Sequence, residues 1–273
     1  MSAIGTLSGM DHLADNDPLA PFRLDDRIII VTGASEGIGR VFAESFASAG
    51  ALVVLASRRR DKLEEVRQLI LDGGGRAEIA LTDVSRLADV TALAETVARL
   101  AQAEGRHLVL VNNAGFGFTK PALEVIEADW DRLFDIHVKG TFFCSQQIAP
   151  LMIARGYGKI INLSSTWSVA TETGKSVYCA AKAAISHLTA ALSTEWAPLG
   201  VRVNALAPST TMTGSVEGMI AADPARGEQL LRRVKLGYFA RPSDLVGGAV
   251  FLACAASDFV TGQTLFVDGG FTT

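Results

Sequence analysis

Ile28-Ile29-Ile30-Val31-Thr32-Gly33-Ala34-Ser35-Glu36-Gly37-Ile38-Gly39 reads as a strand, a glycine turn and the first turn of a helix. The continuous apolar run implies a strand covered on both faces, as in a parallel sheet. Gly33, Gly37 and Gly39 then allow a tight reversal, and a helix predicted over 37–49 begins inside the turn. The start of such a helix presents unpaired N–H groups and positive partial charge, which suits a pyrophosphate. A plain strand-to-helix connection has the same needs, so the turn alone leaves both readings open.

On either side, compact apolar runs alternate with helical periodicity. Strands are predicted at Ile28–Val31, Leu52–Leu55, Ala77–Ala80, Leu108–Val111, Lys159–Leu163, Val201–Leu206 and Thr264–Val267. Helices are predicted over 37–49, 61–72, 86–104, 129–154, 178–196 and 242–256. Alternation of this kind gives right-handed βαβ units, hence an α/β, doubly wound, seven-stranded parallel sheet with helices on both faces. Residues 208–237 break the alternation and are expected to form a mobile insert at the carboxyl ends of the strands, the edge where such sheets bind ligands. One domain over 22–273, preceded by a flexible arm over 1–21, accounts for the 273 residues.

Composition narrows the partners. A net charge of −4 disfavours nucleic acid and anionic membrane surfaces, and no stretch reads as a secretory signal or a membrane span. Three cysteines without C-x-x-C spacing fit a reducing cytoplasm better than a disulfide framework. His12, His107 and His187 lack ligand spacing, so no metal is assigned.

Chemistry is expected at Tyr178-Cys179-Ala180-Ala181-Lys182, thirteen residues beyond Ser165. On a helix, residues four apart share a face roughly 6 Å apart along the axis, so the Lys182 ammonium can sit beside the Tyr178 phenol. Each unit by which a cation lowers the phenol pKa removes about 1.4 kcal/mol from the cost of using it as a base. Asn112-Asn113-Ala114-Gly115 is a strand end narrow enough to lie beside a nucleotide, or an ordinary turn. Asp83 is placed either to accept from an adenine or to cap the helix near Arg86.

These motifs, in this order, resemble the short-chain dehydrogenase/reductase family over about residues 22–273: Thr32–Gly39, Asp83-Val84, Asn112–Gly115, Ser165 with Tyr178 and Lys182, Pro208 to Thr213, and Val267-Asp268-Gly269-Gly270. The resemblance implies a Rossmann-type domain, a nicotinamide dinucleotide and a homotetramer. It further implies that Tyr178 is the general acid/base, Ser165 the donor to the substrate oxygen and Lys182 the group that lowers the Tyr178 pKa and holds the nicotinamide ribose. By the same likeness Gly33, Ser35, Glu36, Gly37, Ile38, Gly39, Ser57, Arg58, Asp83, Val84, Asn112, Ala114, Gly115, Pro208 and Thr213 line the cofactor, Thr213 with its hydroxyl near the carboxamide.

Two positions depart from the family pattern. His137 stands where relatives carry Asn, either as an imidazole relay or as a tolerated replacement whose backbone carbonyl serves instead. Ser209 follows Pro208 where Gly is usual. At the end of the second strand Ser57 and Arg58 replace the acid that would hold a ribose 2′-hydroxyl, which favours NADP(H) over NAD(H), while Glu36 argues the other way. A ketone or secondary alcohol is the expected substrate. The chain is similar both to gluconate 5-dehydrogenases and to 3-oxoacyl carrier-protein reductases, with a nucleotide-sensing or structural module as the non-enzymatic alternative. Trp167, Phe116, Phe118, Met212, Met219 and Phe239 are candidate pocket residues.

Overall fold

A computed structural model describes Asp17 and residues 19–273, so the arm expected over 1–21 falls largely outside the described residues. All seven expected strands form: β1 Arg27–Thr32, β2 Leu52–Ser57, β3 Arg76–Leu81, β4 His107–Asn112, β5 Gly158–Leu163, β6 Val201–Pro208 and β7 Thr264–Val267. They pair in parallel in the order β3-β2-β1-β4-β5-β6-β7. Successive strand residues point to opposite faces, and in the inner strands β2, β1, β4, β5 and β6 both faces are covered, which is why those runs are almost continuously apolar. The edge strand β3 exposes Arg76, Glu78 and Leu81, and β7 is half-buried. Ile29, Val31, Val53, Leu55 and Val109 pack with Phe42, Phe46, Leu63 and Leu252 on one face. Ile28, Ile30, Val54, Leu108 and Leu110 pack with Val90, Val97, Ile148 and Leu192 on the other.

Helices α1 Gly37–Ser48, α2 Arg60–Asp72 and α3 Leu87–Glu104 match the expected spans to within a residue or so. The span expected over 129–154 is divided into α4 Glu127–Phe134, a π-turn Asp135–Lys139 and α5 Gly140–Ile153. A π-turn inserts a residue into the ladder and re-aims the side chains around it, and periodicity alone does not reveal one. Helix α6 covers Ser176–Trp196, and the expected helix over 242–256 becomes a 3₁₀ turn, Pro242–Leu245, followed by α9 Val246–Ala253.

The insert differs most from expectation. It folds into two further helices, α7 Gly214–Ala222 and α8 Pro224–Arg233, at the carboxyl edge of the sheet. Gly214 and Gly218 weaken the periodic signal of α7, whereas Asp223-Pro224 is a readable start for α8: the Asp223 carboxylate accepts from Arg226 N–H at 3.0 Å. Leu230 and Val234 of this region pack with Trp167 and Phe271, and Tyr178, Met219 and Phe239 rest against that cluster. Phe116 and Phe118 meet Tyr178 from the other side, beside Leu133, Val177 and Ala181. Of the candidate pocket residues, Trp167, Met219 and Phe239 share one cluster with Tyr178 and Phe116 and Phe118 share another, whereas Met212 belongs to neither.

Phe46 is fully buried and lies 5.9 Å from the Phe42 ring, between α1 and the sheet. Phe46→Ala is expected to cost about 3–5 kcal/mol of unfolding free energy. Denaturant titration checks this, with the transition midpoint falling and its slope unchanged.

Candidate active site

The strand order reverses between β1 and β4, and the crevice at their carboxyl ends is where an open parallel sheet accepts a ligand. Thr32 and Asn113 lace its two walls together. The Thr32 hydroxyl accepts from the N–H groups of Asn113 at 3.0 Å and Ala114 at 3.1 Å, and donates to Val111 O at 3.3 Å. The Asn113 amide donates to Thr32 O at 2.8 Å. The glycine turn sits on this lacing. Gly33 has φ +69°, and a Cβ there would lie 2.9 Å from the Ala114 backbone. A Cβ on Gly39 would strike Asn113 Nδ2 and Gly33 O. Gly37 has φ +58°, and the methyl of Thr213 lies 3.4 Å from where its Cβ would be, so the start of α7 meets the turn. Glu36 precedes α1 without capping it through its side chain. The first N–H groups of α1 are left facing the crevice, an arrangement that fits a diphosphate.

Ser165, Tyr178, Lys182 and His137 converge beside this crevice from β5, α6 and the π-turn. The Lys182 ammonium donates to Leu163 O at 2.7 Å and lies 5.6 Å from the centre of the Tyr178 ring. The Ser165 hydroxyl accepts from Trp167 N–H at 3.3 Å and makes only a long 3.5 Å bond to Pro208 O, which leaves it able to donate to an incoming oxygen. The π-turn carries His137 into the interior, where its ring meets Tyr178 edge-on at 5.7 Å and Phe116 at 5.4 Å. His137 Nε2 is 3.1 Å from both N and O of Phe116, while Nδ1 is buried without a partner. Gly115 makes room for it, since a Cβ there would lie 2.5 Å from His137 Cε1.

Burial dominates the electrostatics. It holds Lys182 down at about 7 and pushes Tyr178 up to about 12, although the Ser165 hydroxyl pulls the phenol back toward ionisation. The lowering of Tyr178 by Lys182 expected from their spacing is not among the influences on the phenol in this geometry, where burial dominates and the ammonium is bound to Leu163 O. Burial, and next the Lys182 charge, hold His137 well below the usual imidazole value despite its bond to the Phe116 backbone, so it stays neutral.

A family model described as enoyl-(acyl carrier protein) reductase matches residues 33–272. Gluconate 5-dehydrogenase of Gluconobacter oxydans (strain 621H) is 38% identical over 251 residues, 92% of this chain and 96% of that protein. NAD-dependent glycerol dehydrogenase of Listeria innocua serovar 6a is 33% identical over 251 residues, with the same 92% and 96% coverage. The crystal structure of a gluconate 5-dehydrogenase from Burkholderia cenocepacia J2315, in complex with NADP and tartrate, matches with a TM-score of 0.87 at 37% identity, covering 94% of this chain and 99% of that one. The chain belongs to the short-chain dehydrogenase/reductase family. It is an NAD(P)-dependent oxidoreductase, as the ordered motifs implied.

Other residues expected at the cofactor of this dehydrogenase/reductase are distributed unevenly. Ser35 and Ser57 meet at the end of β2, their hydroxyls 3.0 Å apart. The guanidinium that reaches them is that of Arg59, which donates to Ser35 Oγ at 3.1 Å and pairs with Glu36 at 2.8 Å; Arg58 is exposed and faces Asp83. The run of three arginines gave no means of choosing among them. Asp83 accepts from Ser85 N–H at 3.1 Å and Ser85 Oγ at 2.7 Å, which closes a local turn ahead of α3 and does not cap the helix, whose N-cap is Arg86 with no side-chain cap bond. Burial alone would raise its carboxyl, but the Ser85 bonds and the charges of Arg58 and Arg86 leave it below the usual range. Val84 packs under Gly140, where a Cβ would approach Val84 Cγ2 to 2.9 Å. Asn112 is turned into the core, donating to Ser145 Oγ and Asn162 Oδ1 at 2.9 Å each. Asn113, not Asn112, braces the turn. Ser209 is buried with its hydroxyl unpartnered. Among the described residues no group of three His, Cys, Asp or Glu could hold a metal, and no helix is long and apolar enough to cross a membrane.

The depressed Lys182 has a consequence for stability. Its folded value lies near 7 against an ordinary 10.5, so the unfolded chain binds more protons between those limits and stability rises with pH across them. The cost of burying the ammonium is fully present below pH 7. Lys182→Met is expected to raise the thermal unfolding midpoint by a few degrees at pH 6, with the gain shrinking as pH rises toward 10, as differential scanning calorimetry at several pH values would register.

Proposed function

We propose that this oxidoreductase moves hydride between NADP(H) and a small polyhydroxy ketone or secondary alcohol, with Tyr178 as general acid/base. The observation that carries the reading is the convergence of Tyr178, Ser165 and Lys182 beside the β1–β4 crevice, with the uncapped start of α1 next to it. When bound, the nicotinamide supplies or accepts the hydride. Tyr178 gives its phenolic proton to the carbonyl oxygen in reduction and takes the alcohol proton in oxidation. Ser165 donates to the same oxygen, where negative charge develops. Lys182, buried and close to the phenol, stabilises the phenolate that forms when the proton leaves and offers its remaining N–H bonds to the ribose. Neutral His137 adds no charge to this group. Gluconate and glycerol, named for two relatives, support a polyhydroxy substrate.

Tyr178→Phe is expected to abolish turnover while leaving NADPH binding and the unfolding midpoint close to wild type. The assay follows nicotinamide absorbance with gluconate, glucitol, glycerol and an acetoacetyl thioester. Residual activity of the Phe variant within tenfold of wild type overturns the role given to Tyr178.

For the cofactor, Ser35, Ser57 and Arg59 form a donor set at the end of β2 that suits a 2′-phosphate, with Arg58 beside it. Glu36 is the opposing charge, and it is engaged by Arg59. Arg59→Ala and Arg58→Ala should each weaken NADPH more than NADH, Arg59→Ala by about 10–100-fold, and Glu36→Ala should tighten NADPH. Fluorescence titration with both cofactors measures this, and equal losses for the two reject the NADP preference.

A further inference from the structure

Lys175 precedes α6 directly, one turn before Tyr178, and nothing in its sequence context marked it. It is only 9% exposed, yet among the described residues it has no carboxylate partner. Its ammonium donates to Phe118 O at 3.0 Å and lies 5.2 Å from the centre of the Tyr178 ring, closer than Lys182 at 5.6 Å. Tyr178 is therefore flanked by two ammonium groups on its own helix. Lys182 is turned inward to β5, whereas Lys175 is turned toward the loop that carries Phe118.

The surrounding charges leave Lys175 uncompensated. Glu172, the acid that faces it, is held by Arg226 of α8 through two bonds, at 3.2 and 3.0 Å. Arg233, also of α8, lies over Trp167 at 5.1 Å and Phe271 at 4.2 Å and donates to Thr171 O at 3.3 Å, again with no carboxylate at ion-pair distance among the described residues. Three cations thus face one carboxylate at the rim between α6 and α8. Burial first, and the Arg226 charge next, drive the Lys175 pKa down, with Glu172 opposing only in part. A buried cation whose desolvation is not offset by a partner favours the arrival of an anion.

We propose that Lys175 determines substrate specificity by receiving the carboxylate of an anionic polyhydroxy substrate, so that the enzyme prefers a sugar acid to the neutral polyol of equal chain length. Lys175 is the residue before the helix that carries Tyr178, and three residues at helical rise span about 4.5 Å, which suits a carboxylate a few carbons from the reacting centre. Arg233 at the rim adds attraction for the same charge. The proposal rests on the oxidoreductase reading given above.

The test compares sodium gluconate with glucitol, its neutral six-carbon counterpart, using wild type, Lys175→Met and Lys175→Arg with NADP. Wild type is expected to favour gluconate. The ratio of kcat/KM for gluconate to that for glucitol should fall about 10–100-fold in Lys175→Met, chiefly through KM for gluconate, and recover in Lys175→Arg. An equal loss on both substrates, or a ratio unchanged in Lys175→Met, overturns the proposal; unfolding midpoints show that the variants are folded. If wild type oxidises both substrates equally well, the oxidoreductase reading stands and the role of Lys175 falls. If it turns over neither but reduces an acetoacetyl thioester, the polyhydroxy reading falls and takes the Lys175 proposal with it.

Discussion

The junction of β1 with β4 is the constraint on which the rest depends. A parallel sheet reverses its winding there, and the two strand ends must diverge to helices on opposite faces while remaining joined. The Thr32 hydroxyl and the Asn113 amide make that join through hydrogen bonds of 2.8 to 3.3 Å, with Thr32 buried and Asn113 half-buried at the crevice. Because the walls are fixed, the start of α1, the end of β5 and the first turns of α6 all reach one crevice. Ser165 and Tyr178 meet there although they come from separate elements.

The same rigidity explains an unfavourable charge distribution. Lys182 and Lys175 are both nearly inaccessible and lack carboxylate partners among the described residues, and His137 is kept neutral with Nδ1 unsatisfied. Two ammonium groups around one buried phenol destabilise the protein by itself, and the packing of the strands carries that cost. On the proposed mechanism the gain is that the charge stands in place before any substrate arrives, so little reorganisation is needed as a proton leaves Tyr178. Stability and chemistry pull Lys182 in opposite directions.

Much of the architecture was legible because two-sided burial leaves a simple trace: seven apolar runs became seven strands, with ends extended by a residue or two. The π-turn at Asp135–Lys139 was not legible, since its apolar spacing is that of a continuous helix. Helix α7 was hidden by its own glycines. At the candidate site, the proximity of Tyr178 and Lys182 was readable from spacing and Ser165 from the family resemblance, whereas the inward placement of Lys175 and the contact of Arg59 with Ser35 were not. Which of several neighbouring cations turns inward depends on how a helix start is oriented by the strand before it.

The glycine turn shows how one motif can have two causes. Gly33 and Gly39 are needed whether or not a nucleotide binds, because a side chain at either would collide with Asn113 or with the turn itself. Their spacing therefore reports the β1–β4 junction. Gly37 differs: its φ of +58° asks for glycine, yet only the Thr213 side chain lies within 4 Å of where a Cβ would be. It stands at the N–H groups that Glu36 leaves uncapped. On the proposed function, an anion is signalled less by the glycines than by the missing side-chain cap, since helix-start N–H groups without an internal partner can take one from outside. A glycine-rich spacing identifies the fold, and the unsatisfied helix start beside it identifies the ligand's charge.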